Sequence, residues 1–288
     1  MKKNFIVMSN HHGGKIPPAS PAGRLLGISG KYSWCCFFLL LQAAYAASPA
    51  SKIVRTPLPG EAVVLPSPDG FPLAGVYEAA SSIRPTMILL HMLGSDKESW
   101  LPFAQALRKE GFGYLAYDAR GHGQSLRDAQ GREVSFRSFR STGTGNDWNL
   151  LVKDVDAAVE FLKSRGIAPS SVGFVGASLG ANVALNAAVN HPETACAALL
   201  SPSLNYRDVL TVGAMNRYGA GPVLIIASPQ DRYAYKGSKV LFSIAEKRAG
   251  KERTRFWQVP SGHGLRMLKP TLNQKILDWM KTYCVAQP

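Results

Sequence analysis

Ser171-Val-Gly-Phe-Val-Gly-Ala-Ser-Leu-Gly-Ala-Asn-Val-Ala-Leu-Asn-Ala-Ala-Val-Asn190 divides into two halves of different character. The first half is short, apolar and bounded by Pro169-Ser170, which predicts a buried strand. The second half is alanine-rich, with Val183, Leu185 and Val189 spaced through it, which predicts a buried helix. Between them lies Gly176-Ala177-Ser178-Leu179-Gly180, a G-x-S-x-G pattern. A strand that turns straight into a helix needs small residues at the corner, and these glycines and Ala177 allow a sharp bend and close packing. Ser178 is then expected at a strained tip with its hydroxyl presented. The helix N-terminus behind it offers N–H groups and a positive dipole end to a developing oxyanion. The pattern alone also describes an ordinary tight turn; the strand–turn–helix context is what marks Ser178 as a nucleophile.

Around this unit, buried strands alternate with helical segments. Glu61 to Glu78 reads as two strands about the turn signal Ser67-Pro-Asp-Gly70. Further strands are predicted at Thr86–Leu90, Gly113–Tyr117, Cys196–Leu200, Val223–Ala227 and Arg255–Val259. Helices are predicted over Lys97–Glu110, Trp148–Arg165, Tyr235–Ala249 and Thr271–Tyr283. Asp118 to Asp147 is a long polar loop. The alternation implies an α/β fold with a mostly parallel sheet and helices on both faces. Sites in such sheets gather at the carboxyl ends of the strands. No internal repeat is evident.

A serine needs a base to act at neutral pH. His11 and His12 precede the fold. His91 ends the third strand, and His122 lies within Gly121-His-Gly123. His191 reads as a cap at the end of the nucleophile helix. His263, in Ser261-Gly-His-Gly264 directly after the last strand, is the best-placed base. Asp231, in Ala227-Ser-Pro-Gln-Asp-Arg232, is the carboxylate that would fix its tautomer, although Asp is also common as a turn or cap residue. Asp118 is the rival acid, but it precedes the serine. The order Ser178, Asp231, His263 is that of one hydrolase architecture.

The chain resembles an α/β-hydrolase across roughly Glu61 to Tyr283. The residues that carry the resemblance are Leu89-Leu-His-Met-Leu-Gly94, Asp118-Ala-Arg-Gly-His-Gly-Gln-Ser125, Gly176-Ala-Ser-Leu-Gly180, Asp231 and His263. The resemblance implies a serine hydrolase of the dienelactone-hydrolase-like or serine-aminopeptidase-like kind. It also implies an oxyanion hole from backbone N–H groups after the third strand and after the nucleophile. Met92 stands where the family usually has glycine. By position Leu93 is the first donor and Leu179 the second, with the substitution leaving the first open between Leu93 and Met92. Asp118 and His122 would then be structural. Only Ser201 to Gly221 separates the sixth strand from the next, room for about one helix, so no large cap domain is expected. Arg127, Arg132, Arg137 and Arg140 in the long loop either steer an acidic substrate or form a solvated surface, the second being the simpler reading.

Residues 1–46 are expected to be a leader and not part of the fold. Tyr32 to Gln42 is an apolar core preceded by a long basic stretch, and Ala44-Tyr45-Ala46 is an A-x-A cleavage pattern with Ala47 as the new N-terminus. The core is short for a bilayer span, so a cleaved leader is expected over an uncleaved anchor, with export to a periplasm or medium. A linker over 47–60, a catalytic domain over 61–284 and a tail over 285–288 follow. Five of the 33 basic residues and none of the 19 acidic ones precede Ala47, which leaves 28 against 19, a net charge of +9. These charges are scattered, without the basic blocks of a nucleic-acid binder. Cys196 and Cys284 remain after cleavage; an exported location allows them to pair, but spacing does not bring them together. No metal-ligand spacing and no cofactor motif is present.

Three functions fit these residues: hydrolysis of small-molecule carboxylic esters, hydrolysis of short peptides or amides on the same residues, and a non-catalytic exported binding protein. The intact Ser, Asp and His favour the first two.

Overall fold

The computed structural model describes residues 56–141, 146–219 and 221–285. The leader expected over 1–46, most of the expected linker and the last three residues of the tail lie outside the described residues. In chain order, β1 (Glu61–Pro66) and β2 (Pro72–Glu78) form a hairpin. They are followed by β3 (Thr86–Leu90), α1 (Leu101–Lys109), β4 (Gly113–Tyr117) and α2 (Leu150–Ser164). Then come β5 (Val172–Ala177), α3 (Leu179–Asn190) and β6 (Cys196–Leu200). A small excursion holds β7 (Asn205–Tyr206), β8 (Val209–Leu210) and α4 (Val212–Arg217). The chain continues through β9 (Val223–Ala227), α5 (Arg232–Ala249), β10 (Thr254–Gln258) and α6 (Pro270–Tyr283).

Eight strands make one sheet in the order β1-β2-β4-β3-β5-β6-β9-β10. The β1–β2 and β2–β4 pairs are antiparallel; every pair from β4 to β10 is parallel. Strands β3, β4, β5, β6 and β9 are buried at every residue, as their unbroken apolar runs require of a sheet covered on both sides. The two-residue period sorts their side chains between two cores. Ile88, Phe174 and Ile225 pack with Val155, Leu162 and Val183 of α2 and α3. Met87, Val175 and Leu224 pack with Phe103, Leu107, Ile276 and Met280 of α1 and α6.

The expected elements appear with small shifts. The segment predicted as a helix from Lys97 opens as a 3-10 turn over Lys97–Trp100, capped by the Asp96 side chain, and Pro102 stands in the first turn of α1. Trp148 likewise lies in a 3-10 turn, Asp147–Asn149, before α2 begins at Leu150. The last strand starts at Thr254, one residue earlier than predicted. The segment Ser201–Gly221 holds one short helix, as its length suggested, and adds the β7–β8 hairpin. Asn182, fully buried on α3, bolts that hairpin down: its Oδ1 accepts from Ser203 N–H at 3.1 Å and its Nδ2 donates to the Val209 carbonyl at 2.8 Å. Among the described residues, no helix is long and apolar enough to cross a membrane.

Cys196 at the start of β6 and Cys284 after α6 form a disulfide, with Cα atoms 5.2 Å apart and a sequence separation of 88. It fastens the C-terminal helix to the sheet it covers. Cross-linking so long a loop restricts the unfolded chain strongly. Cys284→Ser is expected to lower the unfolding free energy by roughly 2–5 kcal/mol, read from urea unfolding of the purified protein. An unchanged midpoint, with both thiols free to titration in the native protein, would contradict the cross-link.

Candidate active site

The corner between β5 and α3 is built from close backbone contacts. A Cβ on Gly176 would collide with the Gly180 carbonyl, and a Cβ on Gly180 would collide with the Leu90 carbonyl at the end of β3. Glycine at both positions therefore lets the Ser178 corner seat directly on the β3 loop. Ser178 takes φ 55°, a left-handed conformation that a residue with a side chain adopts only at a cost of order 1–3 kcal/mol. Its N–H donates to the Leu200 carbonyl at 2.8 Å, so β6 holds the strained residue from the side.

His263 stands between Gly262 and Gly264, which have φ 102° and 53°. The Ser178 hydroxyl donates to His263 Nε2 at 2.7 Å, and the ring Nδ1–H donates to the Asp231 carboxylate. The three predicted residues thus meet in one chain of hydrogen bonds. Asp231 fills both roles weighed for it, because its other oxygen accepts from Ala234 N–H as the cap of α5. The loops that carry the acid and the base are tied together: Ser228 Oγ donates to the Pro260 carbonyl at 3.1 Å, and Val259 N–H donates to that of Ala227 at 3.0 Å.

Asp118 is far from this role. Its carboxylate, itself fully buried, accepts from Lys97 N–H at 2.7 Å, Lys97 Nζ at 2.9 Å and Gln124 N–H at 2.8 Å. His191 follows α3 as expected, and its ring bonds Asp156 at 2.8 Å. The arginines of the long loop find local partners: Arg132 pairs with Asp128, Arg140 with Asp147, Arg127 donates to the Gly131 carbonyl, and Arg137 covers Phe136. This is the solvated-loop arrangement. Among the described residues, no cluster of His, Cys, Asp and Glu has the arrangement of a metal site.

His91 orients the loop after β3. Ala119 N–H donates to its Nε2 at 3.0 Å, so the proton sits on Nδ1, which donates to the Met92 carbonyl at 2.8 Å. Ser95 N–H also donates to that carbonyl, at 3.0 Å. In a trans peptide the C=O and the following N–H point in opposite directions. Two bonds that fix the Met92 carbonyl therefore also fix the direction of Leu93 N–H. Leu179, the first residue of α3, contributes an N–H that has no partner one turn back in the helix. An open groove of about 350 Å³, lined in part by Met92, Leu93 and Leu265, runs between this loop and the His263 loop.

Three further residues at the site were not singled out in the sequence. Ser201, at φ 53°, accepts from Gly264 N–H with its Oγ at 3.0 Å, which anchors the loop of His263. Tyr206 on β7 lies edge-on to His263, with ring centroids 6.3 Å apart. Asn182 fixes the hairpin that carries Tyr206. A buried asparagine in an alanine-rich helix was a legible signal of a polar contact; nothing in the sequence marked Ser201 or Tyr206.

The family model described as Serine aminopeptidase, S33 matches residues 81–247. The chain matches no curated protein sequence. Among solved structures, it is similar to an esterase of Pyrococcus furiosus, with a TM-score of 0.63 and 18% identity over 79% of this chain and 92% of that one. It is similar to a dienelactone hydrolase from Anabaena variabilis, with a TM-score of 0.59 and 20% identity over 78% and 98%. A third is an α/β serine hydrolase without lid from Xanthomonas campestris, with a TM-score of 0.57 and 19% identity over 81% and 100%. At these identities the structural likeness establishes the fold.

Beneath the site, burial pushes the His122 ring down to about 4 from the ordinary 6.5. Phe136 stacks on the ring, and its Nε2 faces no polar partner among the described residues. The native protein keeps His122 neutral to about pH 4, whereas the unfolded chain protonates it near 6.5. The unfolded state binds more protons in that window, so stability falls as pH drops through it. The expected contribution is on the order of 3 kcal/mol. Urea unfolding between pH 7 and 4 should show a shallower decline in His122→Leu than in the parent; identical declines would contradict the assignment.

Proposed function

This chain belongs to the serine aminopeptidase S33 family of α/β hydrolases and is a serine hydrolase, and we propose that it is an exported esterase that cleaves carboxylic esters through Ser178, His263 and Asp231. The observation that carries the proposal is the hydrogen-bonded sequence from Ser178 Oγ through His263 to Asp231. Ser178 Oγ attacks the ester carbonyl as His263 Nε2 takes its proton. Asp231 holds the proton on Nδ1 and stabilises the imidazolium that forms. The carbonyl oxygen gains negative charge between Leu93 N–H and Leu179 N–H, which the dipole of α3 reinforces. The protonated His263 then gives its proton to the departing alcohol. Water, activated by the same histidine, releases the acid from Ser178.

The preference for esters is supported by the side chains around the nucleophile. Asp231 is committed to His263 and α5. Met92, Leu93 and Leu265 give the nearby groove an apolar side for an acyl chain, with Ser95, Ser99 and Arg266 as its polar lining. The family's description favours a second reading, peptide hydrolysis on the same residues. Export is supported by the A-x-A leader in the sequence and by the Cys196–Cys284 disulfide, a cross-link that persists in oxidising compartments.

A panel of short-chain aryl esters and aminoacyl amides tests the bond cleaved. Esters are expected to be hydrolysed, Ser178→Ala to lose about 10⁶-fold in kcat, and Asp231→Asn roughly 10⁴-fold. Turnover of the amides with inert esters would move the assignment to a peptidase. Full ester activity in Ser178→Ala would refute the nucleophile. The protein recovered outside the cytoplasm should begin at Ala47.

A further inference from the structure

The leaving group of an acyl transfer needs a proton and a favourable setting as its bond to carbon breaks. The sheet order shows which side of Ser178 must supply them. Strand β5 lies between β3 and β6. The Leu93 loop follows β3, so the oxyanion is held on the β3 side. The excursion after β6 approaches from the opposite side, and Tyr206 is the residue there that meets the site.

Tyr206 is held in place by several contacts. Tyr233 of α5 donates its hydroxyl to the Asn205 carbonyl, and the two tyrosine rings meet edge-to-face at 5.7 Å. Asn182 fixes the hairpin from α3. The Tyr206 ring stands at 84° to that of His263, and its hydroxyl donates to the Ser201 carbonyl at 3.3 Å, long for such a bond. That hydroxyl also interacts with Ser178. Burial and the nearby Asp231 carboxylate push the phenol well above its ordinary value, so it remains a donor. The Ser178 proton goes to His263 and the Tyr206 proton to the Ser201 carbonyl, so the phenol serves another oxygen only by turning from Ser201. A phenol packed against His263, beside Ser178 and held by one long bond, can be released to an ester oxygen when the substrate arrives.

We propose that Tyr206 is a further catalytic residue whose hydroxyl hydrogen-bonds the leaving-group oxygen as the tetrahedral intermediate collapses. In that step the bond from carbon to the alcohol oxygen breaks, and its electron pair goes to that oxygen. The proton on His263 Nε2 transfers to the same oxygen, and the carbonyl re-forms from the oxyanion. Tyr206 keeps its proton throughout and exchanges its long bond to Ser201 for one to the departing oxygen. The assistance matters most when the alcohol is a strong base. The inference rests on the Ser178–His263–Asp231 reading.

Tyr206→Phe keeps the ring contacts with His263 and Tyr233 and removes only the hydroxyl. The measurement is kcat/KM, which reports acylation, for a series of acetate esters running from p-nitrophenyl to ethyl. The ethyl-to-p-nitrophenyl ratio is expected to fall by roughly 10- to 100-fold in Tyr206→Phe, the loss of one charge-assisted hydrogen bond. An equal loss across the series would assign Tyr206 to packing and overturn the proposal, as would an unchanged series. The p-nitrophenolate burst of the parent protein separates this failure from failure of the underlying reading. A burst with a parallel series sinks Tyr206 alone; no burst and no turnover in the parent sinks both.

Discussion

The left-handed backbone at Ser178 is tolerable only because the corner around it is packed from every side. Gly176 and Gly180 let α3 begin against its own strand, and Gly180 lies on the Leu90 carbonyl of β3. β6 holds the Ser178 N–H through Leu200. The same contacts set the distance between Ser178, the helix N-terminus and the Leu93 loop. A single added methyl group at Gly180 would meet the Leu90 and His91 carbonyls and part the corner from that loop.

Around this corner the polar groups act as a frame. His91 holds the Met92 carbonyl, Asp118 takes the buried Lys97 and the turn at Gln124, and Ser201 holds the Gly264 N–H. Each uses a buried or half-buried hydrogen bond to fix a loop beside the site. Burial makes such bonds expensive to leave unmade, and this keeps the loops in one arrangement. The disulfide at Cys284 performs a related service for α6, whose Ile276 and Met280 cover one face of the strands that carry the site.

The strands, the tight corner at Ser178 and the candidates His263 and Asp231 were legible because each signal is local. An apolar run, a small-residue corner and a histidine directly after the last strand need no knowledge of distant partners. The double role of Asp231 was half legible, since capping and orienting a histidine call for the same carboxylate. Tyr206, Ser201 and the Cys196–Cys284 pair were not legible. Their meaning comes from elements that meet in space but are separated in sequence by a helix or more, and neither their spacing nor their residue types record that. The 3-10 openings before α1 and α2 escaped for a smaller reason: side-chain caps from Asp96 and Asn146 compete with the apolar period over the first turn.

The account stands on Ser178 being an activated nucleophile in the folded protein. Fluorophosphonate labelling of the protein beginning at Ala47, with the modified residue located by mass spectrometry, tests this most directly. The account predicts one adduct, at Ser178, that is lost in His263→Ala. A folded protein that takes no label, or one labelled equally well without His263, would contradict it.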